Sequence, residues 1–445
     1  MVKDLTEGKV RKVVWQFTLP MFISVIFQQL YNIADSIIVG NFSANGEDAL
    51  AAVGASYPIT MIFMCIAMGC NTGCAVIISQ LFGAKRYGQM KTAVSTTMIA
   101  SFVLSVLLTI IGVAFSGSML GAIQTPDNIF YDANVYLRIY TGGFVFLFFY
   151  NVVTGIFTAL GDSKTPLYFL IGSSVGNVLL DWVFVAIFHW DVAGVAWATF
   201  ICQGVASILA LLTLQKRVKA VETTEKSEKF SFPMLKKIGG IAIPSVLQQS
   251  FVSIGNIFIQ RLINGYGSSV IAGYSAAIKI NTFIITCFGT MGTAISNFTA
   301  QNIGAGKIDR VKKGLKEGWF MGFLVGVPGF LLCFFGGSFL IHLFIKEETA
   351  LALETGMLFL KIVAPFYFVV ALKLITDGVL RGAGAMKAFM VATFSDLILR
   401  VVLGYAFSVP FGTTGIWLSW PVGWTIGTIM SLVFYASGAW KTKYK

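Results

Sequence analysis

Residues 14–40, VWQFTLPMFISVIFQQLYNIADSIIVG, form an apolar run of membrane-spanning length, with Pro20 near its start and Asp35 near its end. Both interruptions are costly in a helix surrounded by lipid. The proline leaves the carbonyl of Gln16 without its amide partner, and a carboxyl in hydrocarbon costs at least about 2.5 kcal/mol. The stretch reads as a helix that bends at Pro20 and a carboxylate that binds something. The competing reading is a simple kink with Asp35 snorkelling to the interface.

Outward from this run the composition repeats the message. With 56% hydrophobic residues, 12% charged residues and a mean hydropathy of +0.80 over 445 residues, the chain is excluded from the water-soluble globules. Twelve apolar runs are long enough to cross a bilayer, at about 14–40, 50–79, 92–116, 134–159, 166–188, 192–215, 235–263, 269–300, 315–344, 352–379, 386–409 and 412–438. The fold class expected is all-α: a polytopic membrane protein of twelve transmembrane helices. The first run is too long, and too polar at Asp35, for a signal peptide.

The net charge of +12 does not point to nucleic acid, because the basic residues sit in short clusters between apolar runs. Those clusters fall at the amino end (Lys3, Lys9, Arg11, Lys12), at every even-numbered connection and in the tail (Lys441, Lys443, Lys445). The opposite connections carry Glu47, Asp48, Asp127, Asp132, Asp191, Glu347 and Glu348. The positive-inside rule then puts both termini in the cytoplasm and the protein in the cell membrane. The six cysteines lie inside apolar runs with no CxxC, so they read as buried thiols.

The longest hydrophilic connection divides the spans six and six. It separates an amino-terminal lobe, 1–215, from a carboxy-terminal lobe, 234–445, with a cytoplasmic linker at 216–233. Gln80-Leu-Phe-Gly83-Ala84 recurs as Gln301-Asn-Ile-Gly304-Ala305, and in the same register Gln28 pairs with Gln249, Gly161 with Gly382 and Gly194 with Gly415. Six spans per repeat imply two lobes related by a pseudo-two-fold axis along the membrane normal, with substrate between them near the midplane. Gly69-x-x-x-Gly73 and Gly172-x-x-x-Gly176 are candidates for close helix approach.

In the fifth span, Asn177 and Asp181 are spaced i, i+4 and so point the same way. Thr199 in the sixth span adds a hydroxyl. Carboxylates with an amide and a hydroxyl form an all-oxygen set, suited to a hard monovalent cation or to a proton shared between acids. The plainer reading is a set of interhelical hydrogen bonds.

Pro20, Asp35, Asn177-x-x-x-Asp181 and Thr199, with Gln80-x-x-Gly83-Ala84 and Leu160-Gly161-Asp162-Ser163-Lys164-Thr165, resemble the multidrug and toxic compound extrusion (MATE) family over nearly the whole chain. The resemblance implies an antiporter that exports amphipathic, often cationic compounds in exchange for Na+ or H+, by alternating access. By the same resemblance Asp35, Asn177, Asp181 and Thr199 form the cation-coupling site, the metal site if the ion is Na+, and Pro20 is the bend of the first helix. One branch of the family has acids in its seventh and tenth spans. Here Asn256 stands opposite Asp35, and Asp377 does not keep the expected spacing from Leu380-Arg381-Gly382.

The second lobe instead carries Lys279, Lys361, Lys373 and an i, i+4 pair, Asp396 and Arg400, expected to bond to each other. Substrate-cavity candidates are Gln28, Tyr31 and Asn32 on the first span, Met61, Met64 and Met68 on the second, and Lys279; adaptable thioethers suit a promiscuous site. A lipid-linked saccharide flippase of the same superfamily is the alternative, kept open by the basic residues of the second lobe. A membrane-embedded enzyme lacks support, with no HExxH, GxSxG or GxxxxGK[ST]. Beyond the coupling ion no cofactor is expected; the expected partners are small lipophilic or cationic substrates and the bilayer, with no nucleic acid and a monomeric state.

Overall fold

The structure is a computed structural model that describes residues 3–42, 46–344, 349–438 and 440–441; the side chains of 35–37 and 39–50 lie outside the described set. Glu47, Asp48, Glu347, Glu348, Lys443 and Lys445, which entered the orientation argument, fall outside it as well. Among the described residues there is no strand. The helices are α1 (Val10–Phe42), α2 (Gly46–Gly83), α3 (Tyr87–Ala122), α4 (Asp127–Gly142), α5 (Phe144–Ala159), α6 (Lys164–Trp182), α7 (Asp191–Lys219), α8 (Phe232–Asn264), α9 (Ser268–Gly304), α10 (Ile308–Phe335), α11 (Gly337–His342), α12 (Ala350–Val363), α13 (Tyr367–Gly382) and α14 (Met386–Ala436).

Ten helical stretches are long and apolar enough to cross a membrane, and α4 with α5, bent by 48°, make an eleventh. The twelfth is hidden in the 51 residues of α14. Gly412 interrupts that helix at φ 58°, ψ −137°, a backbone conformation open in practice only to glycine, so two crossings meet there. The bend between α4 and α5 falls at the Gly142-Gly143 pair, where helix propensity is lowest. The Gly143 N–H still reaches the Ile139 carbonyl at 3.0 Å, so the hydrogen-bond ladder deviates without ending. α1 runs through Pro20, whose carbonyl accepts from the Ser24 hydroxyl at 2.9 Å.

By packing, the chain forms two compact units: Met1–Asp4 with Leu19–Val246, and Leu5–Thr18 with Leu247–Lys445. The first turns of α1 thus count with the second unit and the first turns of α8 with the first, whereas the 216–233 linker divides the chain only by sequence order. In the first unit α2 packs against α3, α4 and α5 around an aromatic core in which Phe144 meets Phe63 at 5.1 Å and Phe148 at 5.7 Å, edge to face. Glu225 of the linker accepts from the Gly88 N–H at 2.7 Å, and the Thr92 and Thr96 hydroxyls accept from the Glu228 and Ser231 N–H groups, so the linker is fastened along α3.

Gly69 and Gly73 let α2 touch the start of α8. A Cβ at either would lie 2.7–2.8 Å from the backbone nitrogens of Val246 and Ala242. Gly172 has no atom within 4 Å of the corresponding position, and Gly176 meets only the Cys202 sulfur at 3.5 Å. Of the two small-residue pairs, only the first serves close approach. Gly73→Ala should therefore destabilise by about 1–3 kcal/mol, as overpacking does, and Gly172→Ala by less than about 0.5 kcal/mol. Thermal unfolding of the two variants in detergent checks this, and equal midpoints would refute it.

In the second unit α9 packs against α10, α12 and α13, and Gly378 and Gly382 of α13 lie against the Gly292 and Ser296 carbonyls of α9. The end of α9 and the start of α10 also hold the amino-terminal segment. The Gln301 side-chain oxygen accepts from the Leu5 N–H at 2.9 Å, Lys307 donates to the Thr6 carbonyl at 2.9 Å, and Arg310 donates to the carbonyls of Leu5 and Gly8. The repeated Gln-x-x-Gly-Ala motif thus has a structural use in its second copy. All six cysteines are unbridged.

Candidate functional site

Asn177 and Asp181 sit one turn apart on α6 and are buried, at 3% and 0% exposure, in a helix whose other faces are largely open to lipid. One helical turn is what brings them into register, since i, i+4 side chains share a face. α7 brings Thr199 beside them, its hydroxyl 3.5 Å from the Asn177 amide group. α1 brings Tyr31. With the amide oriented so that its oxygen accepts from the Thr199 N–H at 3.1 Å, Asn177 Nδ2 donates to Asp181 Oδ2 at 3.1 Å and to Tyr31 Oη at 3.0 Å. This orientation satisfies both ends of the amide when Asp181 is ionised.

Of these groups Tyr31, Asn177 and Thr199 face a cavity of about 90 Å³, which Gln28, Met64 and Gln203 also help to line. Its wall combines hydroxyl, amide and thioether groups with the ring of Tyr150. Three of its lining residues, Tyr31, Asn177 and Thr199, were picked from sequence, as was Asp181, which lies buried behind Asn177. Gln28 and Met64 also line it, whereas Met61, Met68 and Asn32 do not; Asn32 donates to Gln29 on an exposed face at 3.2 Å. Asp35 lies on α1 one turn beyond Tyr31, and its side chain is outside the described residues. Sequence reasoning passed over Ser173, Ser174, Asn151 and Gln203. Helical spacing carried a signal for two of them, since Ser173 precedes Asn177 by four residues and Gln203 follows Thr199 by four.

The second unit holds a different arrangement. Lys373, 2% exposed, donates to Asp377 at 2.8 Å and lies 3.7 Å from Asp396, while Ser431 donates to the other Asp377 oxygen at 2.5 Å. The expected Asp396 to Arg400 pairing is corrected. Asp396 turns to Lys373, and the Arg400 guanidinium stacks on Trp420 with its carbon 4.4 Å from the ring centroid. Packing across α13 and α14 outweighs the local i, i+4 spacing, because Lys373 serves two carboxylates from one buried position. Lys279 is exposed on α9 and lies over Phe344 at 5.7 Å; Lys361 is exposed on α12.

Among the described residues no group of three or more His, Cys, Asp or Glu side chains is placed to hold a metal ion. A hard monovalent cation in the first unit would rely on oxygens of the kinds that Asp181, Asn177 and Thr199 supply.

The family model MatE matches residues 20–183 and again 244–406, each match opening on a proline, Pro20 and Pro244. The probable multidrug resistance protein YpnP of Bacillus subtilis (strain 168) is 29% identical, over 98% of this chain and 97% of its own. A solved structure of a MOP-superfamily transporter from Pyrococcus furiosus, described as having a binding pocket of reversed polarity, superposes with a TM-score of 0.90 at 23% identity, covering 99% of this chain and 98% of that one. An outward-facing multidrug resistance MATE transporter gives 0.89 at 23% identity over 98% and 97%. The twelve-helix, two-lobe fold is shared with these structures. Two matches of one model, covering most of the chain in tandem, also account for the internal repeat, and the chain belongs to the MatE family of transporters.

Proposed function

We propose that the protein is a Na+- or H+-coupled antiporter of the cell membrane that exports amphipathic, often cationic compounds by alternating access, as a monomer with both termini in the cytoplasm. The observation carrying this reading is the convergence of Tyr31, Asn177 and Thr199 on one cavity in the first unit, with the buried Asp181 carboxylate hydrogen-bonded to Asn177 behind them. Asp35 completes the coupling set by its place on α1, and Pro20 on the same helix supplies the point of bending.

The geometry suggests how occupancy is read. While Asp181 is ionised, the Asn177 amide donates to it and to Tyr31. When a proton or Na+ occupies the accepting Asp181 oxygen, it presents a donor or a cation to Asn177, which favours the reversed amide with its own oxygen turned toward the carboxyl. Tyr31 then exchanges an accepted hydrogen bond for a donated one. The charge state of α6 is thereby read by a side chain of α1. A ligand shifts such an equilibrium only by its differential affinity for the two states, and the amide reversal supplies that difference.

Efflux of a fluorescent lipophilic cation from vesicles under an imposed Na+ or pH gradient tests this. One gradient should accelerate efflux and the other should not; indifference to both would overturn the coupling. A lipid-linked saccharide flippase would need free basic groups around a central cavity for pyrophosphate. Lys373 is neutralised by Asp377, and Lys279 rests on Phe344, which removes two of the residues that favoured that reading.

A further inference from the structure

We propose that the groove between α3 and α4 is a binding site for an anionic phospholipid, with Arg138 and Asn134 holding the phosphate and α3 carrying an acyl chain. The groove has a volume of about 590 Å³, and Thr109, Ile110, Ser116, Asn134 and Arg138 are among the residues that line it. It lies wholly within the first unit and apart from the cavity around Asn177.

Its polar wall offers donors. Among the described residues Arg138 makes no ion pair, although its helix crosses the membrane. Asn134 sits one turn before Arg138, on the same face of α4, and its side-chain oxygen is already taken by the Ser116 hydroxyl at 2.8 Å. The Asn134 amide therefore turns its N–H groups to the groove. The Thr109 hydroxyl is buried and has no hydrogen-bond partner. A guanidinium, an amide NH2 and an unsatisfied hydroxyl on one wall call for an anion with several acceptor oxygens.

The apolar wall identifies the anion as lipid-borne. Ile110, 59% exposed, continues into Leu107 and Ile111, at 52% and 43%, on the outer face of α3. Depth agrees. Arg138 lies about 16 Å along α4 from Asp127, at 1.5 Å per residue. α4 and α5, 16 residues each and bent by 48°, span about 44 Å end to end and so overhang a hydrocarbon core of about 30 Å by roughly 7 Å at each end. That places the Arg138 Cα about 8 Å below the core boundary, within snorkelling reach of the phosphate level. The leaflet is the one facing the short α3–α4 turn.

The test uses the full chain in neutral detergent, titrated with phosphatidylglycerol or phosphatidylcholine and read by the shift in unfolding midpoint, with native mass spectrometry counting bound lipid. Phosphatidylglycerol should bind more tightly than phosphatidylcholine. Arg138→Gln should weaken it about fivefold, as expected for one basic contact, and Arg138→Lys should keep most of the preference. Equal binding by wild type and Arg138→Gln would overturn the site. Equal competition by soluble glycerophosphoglycerol would overturn the acyl-chain part and leave a headgroup anion site. Neither reading depends on transport, so its failure is separable from failure of the coupling proposal.

Discussion

Asp181→Asn should reduce gradient-driven export to the level seen without a gradient while leaving the protein folded. Asp181 is fully buried, and in the coupling proposed above its charge is what an ion or proton would neutralise. The asparagine keeps volume and keeps an oxygen for the Asn177 amide, which now lies 3.1 Å from the carboxylate. It removes the charge, and with it the change that the proposed amide reversal reads. The membrane potential supplies about 2.3 kcal/mol per charge per 100 mV, and on the proposed coupling a protein without this carboxylate loses its route to that drive. Asp35→Asn should give the same loss. Vesicle efflux under the productive gradient reads both variants, with unfolding midpoints as the control. Undiminished efflux in a folded Asp181→Asn protein would place coupling elsewhere.

What the sequence could reveal follows from the range of each interaction. The spans were legible because burying twenty apolar residues in lipid is a local property, and the Asn177 to Asp181 pair was legible because one helical turn fixes it. The break inside α14 was legible as a shift in apolar runs near 410, but the left-handed backbone that permits it belongs to Gly412 alone. The bend at Gly143 had no counterpart in the sequence reading, which ran one span through 134–159, since a bend depends on what packs on either side. Tyr31 meets Asn177 across 146 positions of chain, and no periodicity predicts that meeting. The same limit explains the carboxy-terminal charges. Asp396 and Arg400 are neighbours on α14 by spacing, yet the partner that matters, Lys373, comes from α13. The cavity residue Asn151 was hidden by the aromatic run in which it stands, where polarity is diluted in any window.

Lys373→Met should cost about 3–5 kcal/mol of stability, the amount typical of removing one partner from a buried ionic group. The stem has nowhere else to go: a Cβ on Gly427 would lie 2.6 Å from Lys373 Cε, so the side chain is fitted into a groove that glycine leaves open. Methionine fills nearly the same channel and tests charge rather than volume. Without the ammonium, Asp377 keeps only Ser431, and Asp396 keeps no hydrogen bond from a cation, because Arg400 rests on Trp420. Two buried carboxylates would then have lost the cation that they share. Lys373→Met combined with Asp377→Leu removes the closest pair together and should regain more than half of the loss, since a buried ion pair replaced by apolar groups is close to neutral. Unfolding midpoints of the single and double variants decide the matter. A double variant no better than the single one would mean that Lys373 is held chiefly for Asp396, and that the link between α13 and α14, rather than the pair within α13, carries the stability of the second unit.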